Sequence, residues 1–151
     1  MTRAVAISLK IPDNTAFTAA VALRRLGVGV ERVERSEIWF FDDGGDVRAL
    51  IERITADETI FNPNKHRVTV LDEAVPRSGE VWIEPLADPC DPERSNVILS
   101  ASTTLSTGSV EGRRATAWRL LAHDDDPLDR EALRAAVERL LCNPAIERAI
   151  Y

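Results

Sequence analysis

The strongest constraint on this chain is a pattern it uses twice: an amphipathic stretch, then Asn-Pro, then a short β-prone run. Near the C-terminus, Pro127 to Leu141 carries Leu133, Ala136, Val137, Leu140 and Leu141 at helical spacing, and Asn143-Pro144 follows. Ile146, Ile150 and Tyr151 then supply a short closing strand. Between Asp46 and Leu71 the plan recurs. Val47, Leu50, Ile51 and Ile54 have helical spacing, Asn62-Pro63 follows, and Val68 and Val70 alternate with Arg67 and Thr69. Proline cannot donate to a helix and pushes the residue before it out of the helical region, so each Asn-Pro ends a helix. The repetition predicts two modules, residues 1–72 and 80–151, joined by a linker over 73–79 that holds Pro76 and Gly79. The repeat is partial, because the second module has no clear counterpart of the first module's Ala-rich helix.

The first module reads as strand, helix, strand, strand, helix, strand. Val5, Ile7, Leu9 and Ile11 alternate with smaller or polar residues, the period of a half-buried strand, and Pro12 stops it. Asp13 or Asn14 offers a side-chain oxygen to cap a helix over Thr15 to Leu26. Phe17, Ala20, Val21 and Leu23 give that helix an apolar stripe, and Gly27 follows as a helix C-terminus requires. Val28, Val30 and Val33 predict a second strand and Ile38 to Phe41 a third, with Glu34 to Glu37 as a tight connection. Asp46 caps the second helix. This order predicts an α+β fold of two ferredoxin-like modules, antiparallel sheets with helices packed on one face. The apolar residues on both sides of the Ile38–Phe41 strand imply that a second module or another subunit covers the sheet's other face.

In the second module, Val81, Trp82 and Ile83 begin a strand. Pro85, Pro89 and Pro92 then make a loop over Leu86 to Glu93. Asn96 to Leu105 reads as a strand from its β-branched residues, or as a helix opened by Pro92. Thr107-Gly108-Ser109 marks a turn, and Arg113 to Ala122 a strand with Thr116, Trp118 and Leu120 on one side. The run His123-Asp124-Asp125-Asp126 tempts a metal reading. The structural reading is that Asp126 is an N-cap, Pro127 the first helical residue and Asp129 a first-turn acid.

Composition narrows the function. A net charge of −6 over 151 residues argues against nucleic acid or an anionic membrane as the main partner. No apolar run approaches the roughly 20 residues that span a bilayer, and the N-terminus alternates rather than forming a signal core. Cys90 and Cys142 are isolated, so neither a disulfide scaffold nor a zinc site is expected, and Cys142 reads as a small buried hydrophobe. A reduced cytoplasmic protein is expected.

Chemistry is sparse. The chain contains no phosphate-binding loop, dinucleotide fingerprint, HExxH or GxSxG. His66 opens a strand beside Lys65 and Arg67, either as part of a small anion site or as a solvated strand entrance. The serines and threonines between Ser95 and Ser109 have no histidine partner in sequence. Carboxylates fall mostly at helix starts or on solvated helix faces. Trp39, Trp82 and Trp118 fall on strands, where burial explains them better than base stacking. No catalytic residue, cofactor or metal is expected.

Several of these stretches resemble one family. PDNTAFTAAVALRRLG, then VERVERSEIWFF, a helix and FNP, and finally AVERLLCNPAIERAIY, are similar to PurS, the small subunit of formylglycinamidine ribonucleotide synthase. Asp13, Asn14, Ala22, Leu23, Leu26 and Gly27 match the family's first helix. Leu140, Leu141, Asn143, Pro144, Ile146 and Glu147 match its closing pattern, with Asn62 and Pro63 at the equivalent earlier boundary. The likeness covers Val5 to Leu71 and Asp129 to Tyr151 and is poor over Leu86 to Gly112. The chain is nearly twice the length of one PurS unit, which implies a tandem of two PurS-like modules. The resemblance implies a non-catalytic, homo-oligomeric subunit of purine biosynthesis. It would join a glutaminase (PurQ-like) to an ATP-dependent synthetase (PurL-like) and assist ammonia transfer. The alternative is a small-molecule-binding regulatory module on a ferredoxin-like double fold.

Overall fold

The computed structural model describes residues 2–42, 47–58, 61–86 and 114–151. Expectations for the Asp46 cap, Cys90, the loop prolines Pro89 and Pro92, Asn96 to Leu105 and the turn at Thr107 to Ser109 lie outside them. The described elements are β1 (Thr2–Leu9), α1 (Asn14–Arg25), β2 (Arg32–Asp42), α2 (Val47–Ala56), β3 (His66–Val70), β4 (Glu80–Pro85), β5 (Arg114–Leu121), α3 (Arg130–Ala136) and β6 (Glu147–Ile150). A 3₁₀ turn spans His123–Asp125, and α3 continues directly into a π-helical turn, Val137–Leu141. The class is α+β, and six strands hydrogen-bond in the order β3-β1-β2-β5-β4-β6 as an antiparallel sheet.

The residues gather into two compact units. The first takes in described residues of 1–11 and 37–74 with Arg114; the second takes in 12–36, 75–86 and 115–151. In the first unit β3 runs antiparallel to β1, with Val5 opposite Val70 and Leu9 opposite His66. Its core is Val5, Ile7, Trp39, Ile54 and Phe61, with Val68 and Val70 packed on it. In the second unit β4 lies between β5 and β6, with Val81 opposite Trp118 and Glu84 opposite Arg148. Its core draws Leu23 and Ala20 from α1, Val33 from β2, Val81 and Ile83 from β4, Leu120 from β5, and Leu133, Val137 and Leu141 from the last helix.

β2 differs from expectation. Arg32 to Asp42 is one continuous strand, with Glu34 to Glu37 inside it rather than forming a connection. Charge pairing permits this. Glu34 is bridged by Arg32 at 2.6 Å, and Arg35 reaches Asp13 at 2.9 Å. Polar residues of a strand are tolerated where each finds a partner.

α1 starts at Asn14 with Asp13 as its N-cap and ends before Gly27, which takes φ +86°. Its buried residues are Ala16, Ala19, Ala20 and Leu23, while Phe17 is 69% exposed. The apolar stripe is thus rotated from the expected one, and small alanines with Leu23, rather than Phe17, form the buried face. At the other end of the chain, Asp129 rather than Asp126 caps α3, accepting the Ala132 N–H at 2.8 Å. The chain is still paired with β5 at that point: Ala122 N–H donates to the Asp126 carbonyl and Leu128 N–H to the Leu120 carbonyl. Leu128 is buried in the core, which postpones the helix.

The π turn explains a second departure. Leu133, Ala136, Val137 and Leu141 are buried as their spacing predicts, but Leu140 is 43% exposed. Cys142 N–H donates to the Val137 carbonyl, five residues back, at 3.1 Å. A π turn holds one more residue than an α turn, so Leu141 takes the inward position and Leu140 turns outward.

Candidate functional site

The residues singled out in the sequence fall at three places. Asp13, Asn14 and Gly27 frame α1, Asn143 and Pro144 follow the π turn, and Asn62 and Pro63 follow α2. The first two sets share the second unit, where Arg139 of the π turn donates to the Leu26 carbonyl at 2.6 Å, next to Gly27. Asn62 and Pro63 belong to the first unit.

The two Asn-Pro turns are built by the same bonds. Asn62 Oδ1 accepts the Asn64 N–H at 2.9 Å, and Asn143 Oδ1 accepts the Ala145 N–H at 3.1 Å. The Asn62 carbonyl accepts from the N–H groups of Lys65 and His66; the Asn143 carbonyl accepts from those of Ile146 and Glu147. In each case the fourth residue on is the first of a strand, His66 for β3 and Glu147 for β6. That residue's side chain closes the turn. His66 Nδ1 accepts the Asn62 N–H at 2.9 Å, and Glu147 Oε2 accepts the Asn143 N–H at 2.9 Å. Asparagine suits this place because its short side chain satisfies the backbone two residues on. Proline next to it blocks the helical alternative.

Each turn has its own surroundings. Lys10, beyond β1, donates its Nζ to the Pro63 carbonyl at 2.9 Å and its backbone N–H to the Lys65 carbonyl at 2.8 Å. The half-buried His66 ring lies 6.0 Å from the Phe61 ring, tilted by 48°. Next to the second turn, burial first and the Glu147 carboxylate second push the Cys142 thiol up. Cys142 therefore stays a thiol, in keeping with the packing role read from sequence, and is half-buried against the core.

Asp13 does more than cap. Its Oδ1 accepts the N–H groups of Thr15 and Ala16, and its Oδ2 accepts from Arg35 Nε at 2.9 Å. Arg35 in turn lies over the Trp118 ring, 5.9 Å from its centre. Burial alone would raise the Asp13 carboxyl. The Arg35 hydrogen bond, the Ala16 N–H, the Arg35 charge and the Thr15 N–H outweigh it and hold the carboxyl below the usual range.

Sequence reasoning missed two buried carboxylates. Glu80, Trp82 and Glu84 share one face of β4, and all three are buried. Arg77 reaches Glu80 at 2.7 Å, Arg148 reaches Glu84 at 2.6 Å, and the Trp82 indole donates to Glu80. The alternation E-V-W-I-E carried the signal, but only the register that sets Arg148 opposite Glu84 gives it meaning. Residues four apart on a strand are about 13 Å apart, so these carboxyls do not act as a pair.

The His123 run is a surface turn. His123 Nδ1 lies 3.0 Å from Glu31 Oε2, and Arg32 holds Asp125 at 2.9 Å. Asp124 and Asp125 take φ of 59° and 60°. Among the described residues no group of three or more His, Cys, Asp or Glu is placed to hold a metal. An open groove of about 420 Å³ runs along the last helix, lined by Arg130, Glu131, Arg134, Ala135 and Glu138. The guanidiniums of Arg130 and Arg134 lie 5.8 and 5.6 Å from the centre of the Tyr151 ring. Trp39 and Trp82 are buried and Trp118 is half-buried, as their strand positions predict. No helix among the described residues is long and apolar enough to cross a membrane.

What these bonds can do is hold each turn closed at the point where it hands the chain to a strand. Compared with known proteins, the chain matches no family model and no curated sequence.

Proposed function

We propose that the chain is a PurS-like accessory subunit of formylglycinamidine ribonucleotide synthase. It would work as a homo-oligomer in the cytoplasm and bridge a PurQ-like glutaminase and a PurL-like synthetase. The observation that carries this reading is the pair of Asn-Pro turns. They stand at the boundaries on which the resemblance rests, and the same hydrogen bonds build both. The α+β class and the antiparallel pairing of β1 with β3 and of β4 with β5 and β6 are also in keeping with it. The finer architecture, two ferredoxin-like modules in tandem, is part of this proposal. In this role the protein contributes surfaces, and the partners carry out glutamine hydrolysis and ATP-dependent amidine formation.

The test combines the purified chain with a glutaminase and a synthetase of that complex. We expect co-elution in the presence of glutamine and ATP, with stimulation of amidine formation when glutamine is the nitrogen source. Free ammonia should support the synthetase without the chain. If the chain neither co-elutes nor stimulates the glutamine-dependent reaction, the proposal fails.

A further inference from the structure

The side chains that close the twin turns differ in kind, and that difference gives one of them a response to acid. In both, a backbone N–H donates to the side chain of the residue four positions on. An amide N–H can only donate, so His66 must present an unprotonated Nδ1 and carry its ring proton on Nε2. A second ring proton falls on Nδ1 and turns the acceptor into a donor facing a donor. The carboxylate of Glu147 has no such conflict, and imidazoles generally take up their second proton about two pH units above carboxylates.

We infer that the turn after α2 is a pH-sensitive latch: protonation of His66 releases the Asn62 N–H and loosens the entry to β3, while the turn at Asn143 stays closed. The surroundings make the release consequential. Asn62 and His66 are half-buried, so water does not fully replace the lost bond. The imidazole faces the Phe61 ring of the first unit's core, so displacing it disturbs packing as well. Charged groups of both signs stand on the elements around it. Lys10 follows β1, Lys65 precedes β3, and Arg67 comes next to His66 in β3 with its side chain toward the other face of the strand. Arg53 is in the last turn of α2, and Asp57 and Glu58 come just after it. The bond from the Asn62 N–H goes to the ring.

The experiment follows the full chain by NMR across the acid range. It reads His66 ring protonation from the ring carbon shifts and the exchange protection of the Asn62 and Asn143 amides, corrected for intrinsic rates. Asn62 should lose roughly tenfold or more of its protection as the ring protonates, and Asn143 should not change over that range. His66→Asn places an oxygen where Nδ1 stands and does not titrate, so its Asn62 protection should show no such step. His66→Ala should be open at every pH, at the level that acid gives the native chain. Several results would overturn the latch: Asn62 protection that survives full protonation, the same acid step in His66→Asn, or Asn143 opening in parallel. A ring that never protonates while the chain is folded would do so too.

Discussion

The turn after α2 and the turn after α3 share a backbone plan and differ in what holds them. The first is fastened at its tip, where Lys10 grips the Pro63 carbonyl and His66 accepts from Asn62. Behind it lies a small core of Val5, Ile7, Trp39, Ile54 and Phe61. The second has a lighter clasp, an exposed bond from Asn143 to Glu147, but a larger core stands behind the helix that leads into it. That helix is also tied by Arg139 to the end of α1. An Asn-Pro pair therefore specifies how the chain turns. How firmly the turn is held depends on neighbours that the pair does not encode.

The largest effect should come from disturbing the second unit's support without touching its turn. Gly79 takes φ +71°, and a Cβ there would stand 2.7 Å from Pro127 Cβ and 2.9 Å from the Leu120 carbonyl oxygen. Neither neighbour can swing away, since one is a ring and the other backbone. Gly79→Ala should cost roughly 2–3 kcal/mol in denaturant unfolding of the second unit and lower the protection of the Asn143 amide. If that amide keeps its protection, the second turn is held by its own bonds, and the contrast with the first disappears.

Next comes the cap of α1, which belongs to the same support. Asp13→Ala should cost about 1–2 kcal/mol, because two N–H groups and Arg35 lose their acceptor together. Acid should weaken the native chain at this point too. The folded Asp13 carboxyl titrates below its ordinary value, so in the acid range the unfolded chain binds more protons than the folded one. The stability it contributes is complete above the ordinary aspartate range and is lost as pH falls through the lower folded value. Stability curves of the native and Asp13→Ala chains should therefore converge toward low pH. Parallel curves would separate the cap from the charge.

The clasps themselves come third. His66→Ala leaves a half-buried N–H without its partner, whereas Glu147→Ala leaves an exposed one that water can serve. Charge-assisted bonds are the stronger kind, which favours Glu147; burial favours His66. Burial should decide, since the cost of an unmade bond depends on what replaces it. We expect about 1–2 kcal/mol for His66→Ala and about 0.5 kcal/mol for Glu147→Ala. The reverse order would mean that the second clasp is the tighter one.

These same residues mark how far the sequence was legible. Local signals read well. Asn143 and Pro144 stand just past the last helix and Gly27 just past α1. Alternation placed β1 and β3, and the apolar run Val81 to Ile83 placed β4, whereas α2 ends at Ala56, six residues before Asn62. Four features were not legible, because each depends on a pairing or a turn geometry that residue spacing does not show. Glu34 to Glu37 look like a connection until Asp13 and Arg119 are seen to pair with the strand they lie in. Asp126 looks like a cap until the pairing of Ala122 with Asp126 and Leu128 with Leu120 delays the helix. Leu140 looks buried until a π turn shifts the phase by one residue. Glu80 and Glu84 show their burial only once the register sets Arg148 opposite Glu84 and Arg77 pairs with Glu80. The candidate site shows the same division. Asn62, Pro63, Asn143 and Pro144 could be named from spacing alone, but the side chains that close the turns could not, since histidine and glutamate share no pattern.

The smallest effect is the most discriminating, because it asks whether the shared plan is shared in energy. Asn62 Oδ1 and Asn143 Oδ1 each accept one exposed N–H two residues on, at 2.9 and 3.1 Å. Their contributions depend on that bond and on the turn conformation it favours, not on the cores behind them. Asn62→Ala and Asn143→Ala should therefore cost nearly the same, about 0.5 kcal/mol or less each, although the cores behind them differ in size. Asn→Asp at either position keeps the acceptor oxygen and should recover most of the loss. The measurement is a pair of denaturant curves for each site, read alongside the protection of the Asn64 and Ala145 amides. Equal losses would make the Asn-Pro turn a self-contained device that this chain uses twice. A Asn143→Ala loss several times that of Asn62→Ala would show that the larger core makes even its exposed turn cooperative with it, so that the likeness between the turns is one of shape alone.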